Sequence, residues 1–256
     1  MIHPTAIVDE NAKLHESVAV GPYSVIGPDV TIDEGTRVAS HVVINGHTTI
    51  GKNNTIYQFA SIGEVNQDKK YAGEPTQTII GDNNVFRECC TVHRGTVQDD
   101  GITEIGSDNL VMCYTHIAHD VKIGNRVILA NNTTLAGHVH IGDWAILGGF
   151  AMVHQFVHIG AHAFTAINSI VLKDIPPYVM VEGRPAAPRT INSEGLKRRG
   201  FSGDAILSIK RAFKSLYRKQ LSLDKALELI AEESAVSPEL NIISEFVENS
   251  TRGIIR

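Results

Sequence analysis

The stretch IGNRVILANNTTLAGHVHIGDWAILGGFAMVHQFVHIG, residues 123–160, decides the fold. Its aliphatic residues stand at Ile123, Leu129, Leu135, Ile141, Leu147, Val153 and Ile159, one every six positions. No helix repeats at six, and a plain strand repeats at two. A period of six belongs to a parallel β-helix solenoid, in which each hexad supplies one short strand and a turn. The aliphatic side chain points into the shaft, and three hexads close one triangular coil. Successive coils then stack at about 4.8 Å, the ordinary strand spacing.

The spacing extends outward from this stretch. Backwards it runs through Ile117, Val111 and Ile105, then Val92, Phe86 and Ile80, and from Ile62 in sixes to Val8. Forwards, Thr165 breaks the apolar rule and Val171 closes the run. At eighteen residues per coil, about ten coils fill residues 1–180. Gly, Asn and Asp between the strands suit turns with unusual backbone angles. Two stretches disobey the rule and read as loops pushed out of the prism, near 68–78 (DKKYAGEPTQT) and 98–104 (QDDGITE). Loops on a rigid scaffold are common places for binding.

Pro176 and Pro177 end the pattern. From about 192 the period becomes helical. Ile206, Ile209, Phe213 and Leu216 follow Ser202 as a cap, and Leu223, Leu227 and Ile230 follow Ser222. SPEL, 237–240, starts a third helix with Pro at its first position. The expected organisation is a mainly β chain: a β-helix over 1–190 and a small α-helical domain over 191–256.

Bulk properties exclude several classes. The net charge of −5 does not suggest a nucleic-acid role. No apolar run is long enough for a transmembrane segment. The start MIHPTAIVDENAK lacks the basic and apolar regions of a secretory signal. Cys89, Cys90 and Cys113 lack metal-ligand spacing and read as reduced thiols of a cytoplasmic protein. Residues 196–220 carry eight Lys or Arg and one Asp. That basic face suits an acidic partner or phosphates, or is simply solvated.

Seven of the twelve histidines lie between 116 and 162. A lone turn histidine is usually a surface group. Eighteen-residue spacing, however, gathers His93, His119, Gly137–His138 and His154–Gln155 along one prism edge on consecutive coils, with His116 a turn earlier than His119. The motif THIAHD, 115–120, therefore lies on the edge from which both loops start.

INGHTTIG, IYQFASIGEVNQDKKYAGEPT, THIAHDVKIGNR, LAGHVHIGD, VHQF, IGAHAF and NSEGLKRRGFS together resemble the UDP-N-acetylglucosamine acyltransferases, from about residue 2 to the C-terminal STRGIIR. The resemblance implies a left-handed β-helix. It also implies transfer of a (R)-3-hydroxyacyl group from acyl carrier protein to the 3-hydroxyl of UDP-N-acetylglucosamine, the first committed step of lipid A biosynthesis. It implies a homotrimer with active sites between subunits, and no cofactor or metal. The family's catalytic base falls on His119, with Asp120 orienting it. Substrate contacts fall on Gln67, Asp68, Lys70, His93, His116, His138, His154 and Gln155. Contacts to the uridine nucleotide, made from a neighbouring subunit, fall on Asn192, Glu194, Arg198 and Arg199. Ile167 stands where long-chain members have Gly, which implies a hydroxyacyl chain of around ten to twelve carbons.

Acyl transfer to an alcohol needs a base near neutral pH, which suits His119. Asp120 would fix its tautomer, although neighbouring side chains on a strand point to opposite faces. The Gly137 N–H, one coil above His119, is a candidate oxyanion donor. No Ser or Cys has a paired base in this column, which favours direct transfer. The alternatives are a zinc site of His116, His119 and His138, as in β-helical carbonic anhydrases, an amino-sugar N-acyltransferase, and a non-catalytic scaffold.

Overall fold

The aliphatic residue of each hexad turns inward and is sealed. Ile26, Ile44, Ile62, Ile117, Leu129 and Leu135 have no accessible surface. Each such side chain contributes about 1.5–3 kcal/mol relative to exposure. The residue before it in each two-residue strand faces outward, so every coil repeats the same in–out alternation. In the computed structural model, which describes residues 1–256, the chain forms a left-handed parallel β-helix. Face I holds nine strands, from Ile7–Val8 to Ile170–Val171. Face II holds eight, from Lys13–Leu14 to His158–Ile159, and face III holds ten, ending in an antiparallel hairpin of Val179–Gly183 and Ala186–Ile191. The chain runs I to II to III in every coil.

The prism has about nine coils rather than ten, because the two loops consume residues. Ile50 pairs with Ile80, thirty residues on, twelve more than one coil. Ile80 pairs with Ile105, seven more than one coil. Both loops start and end sooner than the sequence suggests, leaving the strands Ser61–Glu64 and Thr91–His93. Gln77 and Thr78 belong to the strand Gln77–Ile80, and Ile102, Thr103 and Glu104 to the strand Ile102–Ile105. Thr78 and Thr103 are buried inward residues of these longer strands, and threonine does not announce itself as core. Thr165, the polar hexad position, is also fully buried, and its hydroxyl accepts from the Gly148 N–H at 3.0 Å.

The turns depart from the expectation of Gly, Asn and Asp. From Tyr23 onward most hexads have one residue with φ near +60°, and it is Tyr, His, Phe, Trp, Arg or Cys as well as Asn or Asp. This conformation costs an L-residue about 1–2 kcal/mol. Stacking offsets the cost: the residue's N–H donates to a carbonyl one coil below, as from His138 to His119 at 3.1 Å and from Trp144 to Asn125 at 2.9 Å. Inside the edge between faces II and III, Asn54, Asn84 and Asn109 form a ladder. Each Oδ1 accepts the backbone N–H of the next coil, and each Nδ2 donates to a glycine carbonyl. Burying those amides is tolerable because every one of them is paired.

Past the hairpin come four helices: α1 Ser193–Arg198, α2 Gly203–Tyr217, α3 Leu223–Ser234 and α4 Asn241–Glu248. Ser202 and Ser222 cap α2 and α3 by accepting from Ala205 N and Lys225 N. SPEL makes a 3₁₀ turn, Pro238–Leu240, before α4; Ser237 does not cap it but pairs with Ser208 at 2.9 Å. The stripes Ile209, Phe213 and Leu216 and Ile243 and Val247 are buried as one core with the end of the prism. No helix is long and apolar enough to cross a membrane.

Candidate active site

His119 and Asp120 sit at the edge between faces I and II, in the turn after the strand His116–Ile117. Asp120 takes the positive-φ position (φ 58°). This resolves the difficulty that adjacent strand side chains diverge, because the left-handed turn swings the carboxylate back beside the ring. His119 Nδ1 donates to Asp120 Oδ2 at 2.8 Å. With Nδ1 carrying the proton, Nε2 is left with its lone pair outward. The ring keeps 17% of its side-chain surface accessible, while Asp120 has none.

The second loop explains why a carboxylate can be buried there. Thr96 donates its backbone N–H to Asp120 Oδ1 at 2.8 Å and its hydroxyl to Oδ2 at 2.7 Å. The Asp120 N–H in turn donates to Thr103 Oγ1 at 2.8 Å. Burial pushes the Asp120 carboxyl up, but the hydrogen bonds from His119 and Thr96 outweigh it and hold it below the usual carboxylate range. Asp120 is therefore an anion that orients His119.

The expected single column of histidines is three columns. Ala118 aligns with His93 below, as the register Val92 to Ile117 requires. His119 lies under Gly137, whose added Cβ would fall 2.5 Å from His119 Cε1 and 2.7 Å from Nε2. Asp120 lies under His138, which lies under Phe156. The His138 ring stacks on Phe156 at 4.4 Å and meets the His119 ring edge-on at 5.1 Å. His138 Nδ1 pairs with Asp99 Oδ2 at 2.8 Å, and its Nε2 lies 3.7 Å from Asp120 Oδ2.

A cavity of about 280 Å³ opens on this edge, lined by Gln67 and Asp68 of the first loop and by His93, His116, His119 and Gly137. His116 pairs with Thr91 Oγ1 at 2.7 Å, and its ring meets that of His93 edge-on. Burial lowers the pKa of both, with their mutual charge or that of His119 adding to it; His93 falls to about 4. Both rings are neutral at pH 7. The Gly137 N–H has no hydrogen-bond partner within the chain. A larger groove of about 560 Å³ lies between face II and α4, along Lys122, His140, His158 and Phe246, away from the His119–Asp120 pair.

Other expected residues lie elsewhere. His154 and Gln155 are exposed at the next coil of the same edge, His154 Nδ1 donating to the Gln155 carbonyl at 3.0 Å. Lys70 is exposed on the first loop, outside the cavity lining. Ile167 is 71% exposed in a turn between faces III and I, on a different edge from His119. Asn192, Glu194, Arg198 and Arg199 sit at the edge between faces II and III. Asn192 caps α1 and donates to the His162 carbonyl at 3.1 Å. Arg199 donates to the Trp144 carbonyl at 2.8 Å and packs over the Trp144 ring. Glu194 and Arg198 are exposed. One chain thus separates these four residues from His119 by a face of the prism.

Sequence reasoning missed Thr96, Asp99, Thr103 and Phe156. Phe156 is eighteen residues from His138, so the coil count was signal enough. Asp99 reaches across thirty-nine residues from inside an insertion, where counting fails. As for metal chemistry, His119, Asp120 and His138 offer donor atoms within 4.8 Å of one another. His116, the third ligand of the zinc alternative, is turned to Thr91 instead.

Comparison with known proteins gives a consistent result. The C-terminal residues 174–255 match the family described as UDP N-acetylglucosamine O-acyltransferase, domain 2. Residues 102–137 match the bacterial transferase hexapeptide family, and residues 2–100 the GMPPB C-terminal domain. The chain is 58% identical over 260 residues to the acyl-[acyl-carrier-protein]–UDP-N-acetylglucosamine O-acyltransferase of Herminiimonas arsenicoxydans, covering 100% of this chain and 99% of the relative. The protein of the same name from Thiobacillus denitrificans is 56% identical over 255 residues, with the same coverage. Among solved structures, LpxA from Acinetobacter baumannii superposes with a TM-score of 0.97 at 48% identity, covering 100% of this chain and 99% of that one. The UDP-N-acetylglucosamine acyltransferase of Francisella novicida gives 0.98 at 47%, covering 100% and 94%.

Proposed function

Since the chain belongs to the acyl-[acyl-carrier-protein]–UDP-N-acetylglucosamine O-acyltransferase family, we propose that it catalyses transfer of a (R)-3-hydroxyacyl group from acyl carrier protein to the 3-hydroxyl of UDP-N-acetylglucosamine, the first step of lipid A biosynthesis. The observation that carries the reading is the His119–Asp120 pair at 2.8 Å beside an open cavity, with Nε2 left free.

His119 Nε2 accepts the proton of the sugar hydroxyl as that oxygen attacks the thioester carbonyl carbon. Asp120 holds the tautomer and faces the imidazolium as it forms. The tetrahedral oxyanion takes the unpaired Gly137 N–H. Collapse breaks the carbon–sulfur bond, and the thiolate leaves with the proton from His119. No covalent acyl-enzyme is needed, and neither is a metal. Gln67, Asp68, His93 and His116 line the sugar side of the cavity; Lys70, His138, His154 and Gln155 complete the substrate contacts along the edge.

The nucleotide end needs cations, and Arg198 is an exposed one on the wrong edge of its own chain. A homotrimer solves this by setting the II/III edge of one copy against the I/II edge of the next. Asn192, Glu194, Arg198 and Arg199 then serve the neighbour's His119. The reaction belongs to the cytoplasm, with acyl carrier protein as donor.

The test is turnover of a panel of (R)-3-hydroxyacyl carrier proteins with UDP-N-acetylglucosamine, followed by mass analysis of the product. His119→Ala lowers kcat by ~10²–10⁴-fold, the usual contribution of a general base. Near-normal turnover in a folded His119→Ala protein would sink the assignment.

A further inference from the structure

The loop from Arg94 to Gly101 is fastened to the candidate site at both ends. At its start Thr96 gives two hydrogen bonds to Asp120. At its tip Asp99 Oδ2 accepts from His138 Nδ1 at 2.8 Å, and the next residue, Asp100, accepts from Lys122 Nζ at 2.7 Å. The tip is also closed on itself: the Asp99 N–H donates to the Thr96 carbonyl at 3.2 Å, and the Asp100 N–H to Asp99 Oδ1 at 3.0 Å. Asp99 is thus preset, with one oxygen used to shape the loop and the other aimed at the imidazole.

Three other groups bear on His138. Phe156 stacks on one ring face, the His119 ring abuts it edge-on, and Asp120 lies 3.7 Å from Nε2. Phe156 and His119 fix the plane of the ring but not which nitrogen points where, since both contacts survive a ring flip. An acceptor within hydrogen-bond range of one nitrogen decides that. Asp120, at 3.7 Å from Nε2, is beyond that range, and Asp99, at 2.8 Å from Nδ1, is within it.

We propose that Asp99 is a positioning residue that acts through His138: it fixes the ring's orientation and tautomer, so that Nε2 stands beside Asp120 at the mouth of the site. The proposal rests on the acyl-transfer reading above. Asp99 is not one of the residues that line the cavity. Its neighbour Asp100 has the same charge and nearly the same place but serves Lys122, and is the natural control.

The experiment is a double-mutant cycle on kcat and KM. Asp99→Ala lowers kcat/KM by about tenfold, chiefly through KM, and Asp99→Asn, which keeps an acceptor oxygen, recovers most of it. Asp100→Ala stays within twofold of the starting protein. In a His138→Ala background, Asp99→Ala has no further effect, because its only route to the substrate is gone. Melting temperatures alongside separate these effects from unfolding, which a carboxylate 40% exposed is not expected to cause. The proposal is overturned if Asp99→Ala changes kcat/KM less than twofold, or if its loss persists in full without His138. Turnover of the unaltered protein in the same assay keeps the two ideas apart: its absence would defeat the acyl-transfer reading, whereas normal turnover with no coupling defeats only this one.

Discussion

Gly137→Ala isolates the seat of the proposed base, His119. Gly137 is outside the left-handed region, so its backbone accepts alanine without strain. What it lacks is room. The added Cβ would lie 2.5 Å from His119 Cε1 and 2.7 Å from Nε2, against the ~3.5–4.0 Å of an ordinary carbon contact. The ring must retreat by about 1 Å. Asp120 cannot follow, because two hydrogen bonds from Thr96 hold it. The 2.8 Å bond from Nδ1 therefore lengthens past hydrogen-bond range. A displacement of that size costs a reacting group ~10²-fold in rate. Stability falls by no more than about 1.5–3 kcal/mol, one charge-assisted hydrogen bond. Steady-state kinetics and thermal melting on one preparation check both numbers. If kcat stays within threefold of the starting protein while the fold is intact, the account of how His119 is held is wrong.

Stability should have an acid limit set by His93 and His162, both pushed down to about 4, by burial first and then by repulsion from a neighbour: the His116 ring as it protonates for His93 and the Arg199 guanidinium for His162. A histidine depressed in the folded state binds fewer protons there than in the unfolded chain, so its contribution is complete above about 6.5 and is lost as pH falls towards 4. Each should withdraw about 2 kcal/mol by pH 5, measured by denaturant midpoints across that range; a flat profile would contradict the burial of these rings. Ile167→Gly should shift chain preference towards longer acyl groups at a stability cost under about 1 kcal/mol, and an unchanged product profile would remove Ile167 from the acyl groove. Exhaustive chelation should leave turnover unchanged; loss that zinc restores would favour the His119, Asp120 and His138 cluster as a metal centre. Mixing refolded His119→Ala and Arg198→Ala chains should restore about a quarter of full activity, since that share of inter-copy sites draws both intact halves. No recovery would mean the site lies within one chain.

The shaft was legible because burial repeats with the coil: a hexad that must hide one side chain per strand writes its period into the sequence. The short helix α1 and the hairpin from Val179 to Ile191 were not, because neither is long enough to show its own period beside the last coils. The site was half legible. Counting by eighteen put Gly137 over His119, and the structure has it there. The same count, read as a single histidine column, blurred three neighbouring columns into one and overlooked Phe156. Asp120 looked doubtful because strand alternation was applied to a residue in a left-handed turn. Thr96 and Asp99 were invisible for a different reason: an insertion destroys the register that makes counting possible, so contacts it makes can be found only in three dimensions.

The same turn position explains why the His119–Asp120 pair sits where it does. Each edge of the prism carries a stack built from its positive-φ residues. One edge has Tyr23, His41 and Phe59, another Trp144, His162 and Tyr178, and the third Asp120, His138 and Phe156. The first two are aromatic throughout and offset the strain of the turn by packing. The third replaces its lowest ring with a carboxylate, which packing alone could not hold. A buried anion needs donors, and the adjacent loop supplies them through Thr96. The insertion and the substitution therefore depend on each other. Removing the loop would strand Asp120 without two of its three donors, and removing Asp120 would leave Thr96 without the acceptor of both its hydrogen bonds. The His119 ring is oriented by that mutual dependence, not by the shaft, which is nearly the same at every coil.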